Sequence, residues 1–371
     1  MSDHRHAPTL ISRRSRRRLQ LFAGFLFATA LALGGSAPLL AGARHWTPIG
    51  PSGASIRALA ARGGIIYVWT EAGVLVSKDA GRHWHPSNAG LDFGGGGPFL
   101  LTVDPDRSNL LYASNGRSLN RSFDGAASWH TLPFPAVGQI SQIAIAPSTP
   151  RTLYVTACAT GHPGSCSIEK SVDRGATWVG NTLPFVEYGQ LVVDPGDAAT
   201  LYLAAERIAK STDGGASWSI VGPASQQLRF VGALAIDPAS PDTVYAAGSA
   251  AVGKSIDAGH SWKLLAAGLP QPGAGSFGNL NLSALIVDPD QPSILYTGAA
   301  GSPAGGIGVF VSTDSGATWT HISRGLPRAV FDGLAFDPAT SVLYAGTYDM
   351  GVYALEPAVS AVEPADGTPP R

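Results

Sequence analysis

Charge is scarce in this chain. Only 14% of its 371 residues are Asp, Glu, Lys or Arg, and the formal net charge is −1. That excludes the concentrated basic surface of a nucleic-acid binder. Cysteine is scarcer still. Cys158 and Cys166 are the only two, so the chain carries no zinc-type ligand spacing and no lipidation cysteine near its start. No apolar run reaches transmembrane length, since the best candidate, Leu19 to Leu33, is short and rich in Gly and Ala. A serine-nucleophile elbow, a phosphate loop and heptads are also missing, and no cofactor is expected.

What is present begins with a targeting pattern. Arg13, Arg14, Arg16, Arg17 and Arg18 precede the apolar stretch, and Ala41-Gly42-Ala43 follows as an A-x-A cleavage site. Residues 1–43 are therefore expected to be a signal peptide, with an uncleaved anchor as the alternative. Ser12-Arg13-Arg14 leaves the general and twin-arginine export routes both open. The mature protein is expected to be periplasmic or secreted, with no membrane span after cleavage.

Beyond Arg44 the sequence repeats itself. The octapeptide S-x-D-x-G-x-x-W occurs at Ser77–Trp84, Ser171–Trp178, Ser211–Trp218, Ser255–Trp262 and Ser312–Trp319. A further copy, Ser122–Trp129, has its glycine one place early. Tyrosines in β-rich segments keep a second rhythm: Tyr67, Tyr112, Tyr154, Tyr202, Tyr245, Tyr296 and Tyr344, about 46 residues apart. Most follow an apolar strand ending in Asp-Pro (Asp104-Pro105, Asp194-Pro195, Asp237-Pro238, Asp288-Pro289, Asp337-Pro338), where proline ends the ladder. With 46 Gly and 28 Pro around short apolar runs, the chain reads as all-β.

Each unit has four strands, A to D, the size of a propeller blade. The last unit supplies three, from Val330 to Glu356, and then lacks an octapeptide. His45-Trp46-Thr47-Pro48-Ile49 is the expected fourth strand. The fold class predicted is a seven-bladed β-propeller over residues 44–357, closed by pairing of its N- and C-terminal segments. A disordered Pro-rich tail is expected over 358–371.

The octapeptides resemble those of the Asp-box (BNR) repeat superfamily. Sialidases, xyloglucanase-type glycoside hydrolases, the sortilin ectodomain and propeller-type photosystem assembly factors share it. The resemblance implies that each box is a hairpin turn between strands C and D. It makes Asp79, Asp124, Asp173, Asp213, Asp257 and Asp314 structural residues. An Asp in a tight turn accepts backbone N–H bonds, and the glycine permits positive φ. Calcium at Asp104 with Asp106, or Asp288 with Asp290, is the alternative to simple turn chemistry there, which is the reading preferred; no metal is expected. Cys158 and Cys166 face each other across a B–C hairpin, which in an oxidising compartment suggests a disulfide.

Topology places the Asp-Pro turns and boxes on one face. The B–C loops and blade connections lie on the other, around the channel mouth. Loops free of repeat constraints are the expected carriers of function. This face collects Trp69, Glu71, Asp92, Arg117, His162, Glu187, Tyr188, Glu206, Arg207, Arg229, Arg328, Asp332, Tyr348 and Asp349. Aromatic rings beside carboxylates and arginines suit a glycan, so Trp69, Arg117, Tyr188, Arg207, Arg229, Arg328, Asp332 and Tyr348 are the candidate ligand contacts. A solvated polar rim is the plainer reading of many of them.

Hydrolysis would need two converging carboxylates, for which Glu71, Glu187, Glu206, Asp332 and Asp349 are the pool, and Glu71, Glu206 and Asp349 the leading candidates. Thr347 to Tyr353 resembles the turn bearing a catalytic Asp in xyloglucanase-type enzymes but lacks their double glycine. The sialidase pattern fails at its arginine motif, where this chain has Ile56-Arg57-Ala58. The sequence therefore favours a monomeric binding or scaffold module for a protein or glycan, with a glycoside hydrolase as the alternative.

Overall fold

The structure is a computed structural model. It describes residues 44–92, 97–136, 138–159, 166–184, 187–205, 207–223, 228, 231–249, 251–270, 281–300, 308–327 and 331–356, excepting the side chains of 187, 188, 205, 281, 299, 300, 331 and 332.

Seven four-stranded antiparallel sheets account for every described strand. In order A to D, blade 1 is Ala58–Arg62, Ile65–Thr70, Gly73–Ser77 and His85–Pro86. Blade 2 is Leu100–Val103, Leu111–Ser114, Leu119–Ser122 and His130–Thr131. Blade 3 is Gln139–Ile145, Leu153–Cys158, Cys166–Ser171 and Val179–Thr182. Blade 4 is Glu187–Val193, Leu201–Ala205, Ile208–Ser211 and Ser219–Ile220. Blade 5 is Ala233–Ile236, Val244–Ala247, Val252–Ser255 and Lys263–Leu265. Blade 6 is Asn281–Val287, Leu295–Ala300, Gly308–Ser312 and Thr320–His321. Blade 7 takes Phe331–Asp337, Val342–Thr347 and Gly351–Leu355 from the end of the described chain, and its strand D, Thr47–Gly50, from the beginning.

That last pairing is the closure expected from sequence, with Thr47 opposite Ala354 and Pro48 opposite Tyr353. Every strand A also touches the A strands of both neighbouring blades, so the seven blades close a ring. Among the described residues, no helix is long and apolar enough to cross a membrane.

The repeats have separate jobs in this ring. Strand B lies inside its sheet and between neighbouring blades, so both of its faces are buried and it reads as a continuous apolar run. Its tyrosine crosses to the next blade. The Tyr67 hydroxyl donates to the Ser108 carbonyl at 2.9 Å and Tyr154 to Ala198 at 2.7 Å. A lysine on strand C stands directly opposite the tyrosine in blades 3, 4 and 5, where Lys170, Lys210 and Lys254 lie 5.2–5.6 Å from the ring centres. Strand D is two residues long and exposed in blades 1, 2 and 6, as suits an edge.

The octapeptide forms the C–D turn. In each copy the first serine's hydroxyl donates to the aspartate, at 2.7–2.9 Å. The aspartate also accepts the backbone N–H four residues on, as Asp213 does from Ser217 at 2.9 Å and Asp257 from Ser261 at 2.8 Å. The hydroxyls of Ser217 and Ser261, followed by those backbone amides, pull the Asp213 and Asp257 carboxyls down to about 2. The tryptophan that follows ties blades together. Trp129 Nε1 donates to the Ser87 carbonyl at 2.9 Å and Trp262 Nε1 to Val221 at 2.8 Å, each just past the preceding blade's strand D. Trp46, fully buried, does the same for blade 7, donating to Ile322 at 2.7 Å. The N-terminal segment thus supplies both the missing strand and the missing tryptophan.

Glycine is required where the blade link passes this tryptophan. Gly268 has φ 88°, and a Cβ there would run into the Trp319 carbonyl. Blade 1 lacks an Asp-Pro of its own. Its Gly63-Gly64 turn is capped instead by Asp337 of blade 7, which accepts both backbone amides, at 3.0 and 2.6 Å.

Candidate functional site

The residues that converge on the B–C face do so where the ring closes, between blades 7 and 1. Two turns of the same design meet there. In blade 1, Thr70 Oγ1 donates to the Gly73 carbonyl at 3.0 Å and accepts the Ala72 amide, which raises Glu71 at the tip. In blade 7, Thr347 Oγ1 donates to Gly351 at 2.7 Å and accepts the Met350 amide, which raises Tyr348 and Asp349. A buried threonine hydroxyl at a strand end satisfies backbone groups that the turn would otherwise leave open.

The link from blade 7 to blade 1 runs between these turns. Ile56 donates its N–H to the Thr347 carbonyl at 2.9 Å and Arg57 donates to Trp69 at 2.7 Å, so the link joins both strand ends. Ile56 itself is buried as an anchor. Its neighbours face outward and gather the turn residues. Arg57 Nη2 donates to Glu71 Oε1 at 2.8 Å, and its guanidinium lies 5.0 Å from the Tyr348 ring centre. Ser55 Oγ donates to Asp349 Oδ1 at 2.9 Å. The Glu71 hydrogen bond is the main reason that Arg57 holds its proton more tightly than a free arginine.

The cluster is open to solvent, with Glu71 70% exposed, Tyr348 43% and Met350 49%. An exposed ion pair is worth only about 0.2–1 kcal/mol, so these contacts orient the side chains more than they stabilise the fold. The result is a ring, a guanidinium and two carboxylates held in fixed relation at the seam.

Other sequence candidates fall elsewhere. Trp69 requires a correction: it is 1% exposed and packs against Phe99 with ring centres 5.2 Å apart. Strand B of blade 1 runs on to Thr70, and its register sets Trp69 opposite Ala58, in the core between blades 1 and 2 rather than on the rim. Arg117 is exposed on blade 2's own turn, and Arg207 of blade 4 donates to the Gly222 carbonyl; neither joins the seam. Tyr188 lies on strand A of blade 4, and Asp332 at the register shift that opens strand A of blade 7; their side chains, like that of Glu187, are outside the described residues. Glu206, Arg229, Arg328 and His162 lie outside the described residues altogether.

Ser55 and Arg57 join the seam although no motif in the sequence marks them. The signal was available: two polar residues alternate with a buried isoleucine immediately before strand A. Cys158 and Cys166 stand in register across the B–C hairpin of blade 3 and form a disulfide. Among the described residues no group of three or more His, Cys, Asp or Glu could hold a metal ion. Asp104 and Asp288 each accept two backbone amides within their own turn.

The fold and this seam define a seven-bladed propeller with a polar, aromatic cluster on its B–C face. Known proteins give that class neighbours. The chain is 28% identical over 325 residues to a xyloglucanase of Paenibacillus sp., covering 70% of this chain and 31% of that enzyme. An ancestral GH74 enzyme superposes with TM-score 0.66 at 17% identity, covering 85% of this chain and 46% of its own. YCF48 bound to D1 peptide superposes with TM-score 0.62 at 15% identity, covering 85% of this chain and 98% of its own. No protein-family model matches the chain. The chain thus spans about a third of the curated relative and about half of the GH74 structure, while spanning nearly all of YCF48.

Proposed function

We propose that this chain is an exported, non-catalytic propeller of the Asp-box type that binds a xyloglucan-like polysaccharide at the seam between blades 7 and 1. One observation carries the reading. Tyr348 offers an exposed ring, and the groups around it are already oriented: Arg57 on Glu71 and Ser55 on Asp349. Rings stack on pyranose faces, while fixed charged groups hydrogen-bond to sugar hydroxyls and set orientation. The choice of polysaccharide rests on the xyloglucanase relative.

Neither Glu71 nor Asp349 is enclosed, since both are exposed on their turns. A glycosidase acid needs a carboxyl whose proton is retained by a buried, apolar setting. Here Glu71 is 70% exposed and engaged by a guanidinium. The disulfide fits an oxidising compartment and so supports export.

Affinity electrophoresis and calorimetry with xyloglucan oligosaccharides test the reading. Tyr348→Ala and Arg57→Ala are each expected to weaken binding by about tenfold, the value of one stacking or charge-assisted contact. Wild-type affinity for these oligosaccharides no greater than for an unrelated α-glucan would reject it. The xyloglucanase relative also favours a second reading, hydrolysis by Asp349 with Glu71, which predicts new reducing ends lost in Asp349→Asn.

A further inference from the structure

The opposite end of the channel holds a different kind of site. A cavity of about 390 Å³ lies against the A strands of four consecutive blades, 6, 7, 1 and 2. That volume falls within the roughly 300–1,000 Å³ of small-molecule pockets. The side chains of its wall are mostly apolar, Leu59, Leu101, Ile286, Leu334 and Phe336 among others, with polar groups exposed between them, and the prolines of the Asp-Pro turns, Pro105, Pro289 and Pro338, stand at its end. Among the described residues of the lining, Arg62 and Thr102 contribute the only polar side chains, and Arg62 the only charge.

Arg62 is the last residue of strand A in blade 1, which places it at the mouth. One of the five N–H donors of its guanidinium goes to the Pro105 carbonyl, the only side-chain hydrogen bond it makes among the described residues. The acids beside this mouth are turned away from it. Asp337 caps the Gly63 and Gly64 amides, and Asp104 accepts the Asp106 and Arg107 amides.

We propose that this end of the channel binds a medium-chain carboxylate amphiphile, with its head on Arg62 and its alkyl chain in the cavity. A guanidinium pairs with a carboxylate through two parallel N–H bonds, and the apolar side chains of the lining offer an alkyl chain contact.

Calorimetry with octanoate, 1-octanol and octyltrimethylammonium tests the assignment on the whole chain. Octanoate is expected to bind saturably and at least tenfold more tightly than octanol, and the cation not at all. Arg62→Gln should remove that tenfold advantage while leaving octanol binding unchanged, and Arg62→Lys should restore part of it. Circular dichroism establishes that both variants keep the fold. A variant that loses the fold is replaced by octanoate titration of the wild type against guanidinium-masking salt, where affinity must fall with ionic strength. Absence of saturable octanoate binding, or octanoate affinity indifferent to Arg62→Gln, would overturn the proposal. Xyloglucan binding at the seam is independent of both variants.

Discussion

Replacing Gly268 with alanine tests how the blades are locked together. Gly268 has φ 88°, and a side chain in that region costs about 1–2 kcal/mol. The new Cβ would also meet the Trp319 carbonyl, a backbone atom that cannot swing aside. Relief requires the link to move, which weakens the 2.9 Å bond from Trp319 N–H to the Ala267 carbonyl, worth about 1 kcal/mol. Overpacking adds about 1–3 kcal/mol. The sum is about 3–6 kcal/mol.

Gly53 is the internal control. Its φ is 73°, but a Cβ there meets nothing within 4 Å. Gly53→Ala should therefore cost the backbone term alone, about 1–2 kcal/mol. Urea unfolding followed by tryptophan fluorescence reads the difference, which should be about 2–4 kcal/mol with an unchanged denaturant slope. Gly90→Ala and Gly325→Ala should behave like Gly268→Ala, because they oppose the Trp129 and Trp46 carbonyls. Equal losses at Gly53 and Gly268 would refute the lock.

Three further outcomes follow from the same geometry. The Asp213 and Asp257 carboxyls are held at about 2 in the fold, against about 3.9 in the unfolded chain, so their contribution is present above pH 4 and lost as pH falls toward 2. Asp213→Asn should flatten the acid limb of a melting-temperature profile between pH 5 and 2, and parallel profiles would contradict this. Tyr67→Phe should cost about 1 kcal/mol by removing the bond to Ser108, whereas Tyr112→Phe should cost almost nothing because that hydroxyl has no partner among the described residues; urea midpoints compare the pair. Cys158→Ser with Cys166→Ser should cost about 2 kcal/mol or less, since the disulfide closes a short loop between strands already in register, and should leave seam binding intact.

Blade number was legible because two independent repeats encode it. The octapeptides mark six C–D turns, and the tyrosines count seven B strands. The closure was legible too, because Trp46 precedes its strand as the octapeptide tryptophans precede theirs. The faces followed from strand alternation alone. Parity at a strand's last residues did not: Trp69 and Glu71 are two apart, yet one is core and the other rim, because the turn at Thr70 changes the direction of the chain. Ser55 and Arg57 were hidden for another reason. Their role depends on turns of two blades nearly 280 residues apart in sequence, Glu71 and Asp349, meeting at the ring closure. Spacing within one repeat carries no sign of that.

The seam is read here as a place that holds a sugar chain without cutting it. Incubating the wild-type protein with xyloglucan while following bound ligand and new reducing ends in the same sample tests that claim most directly. The account predicts saturable binding that Tyr348→Ala weakens, with reducing ends at the level of buffer alone. Reducing ends that rise with protein concentration and vanish in Asp349→Asn would contradict it.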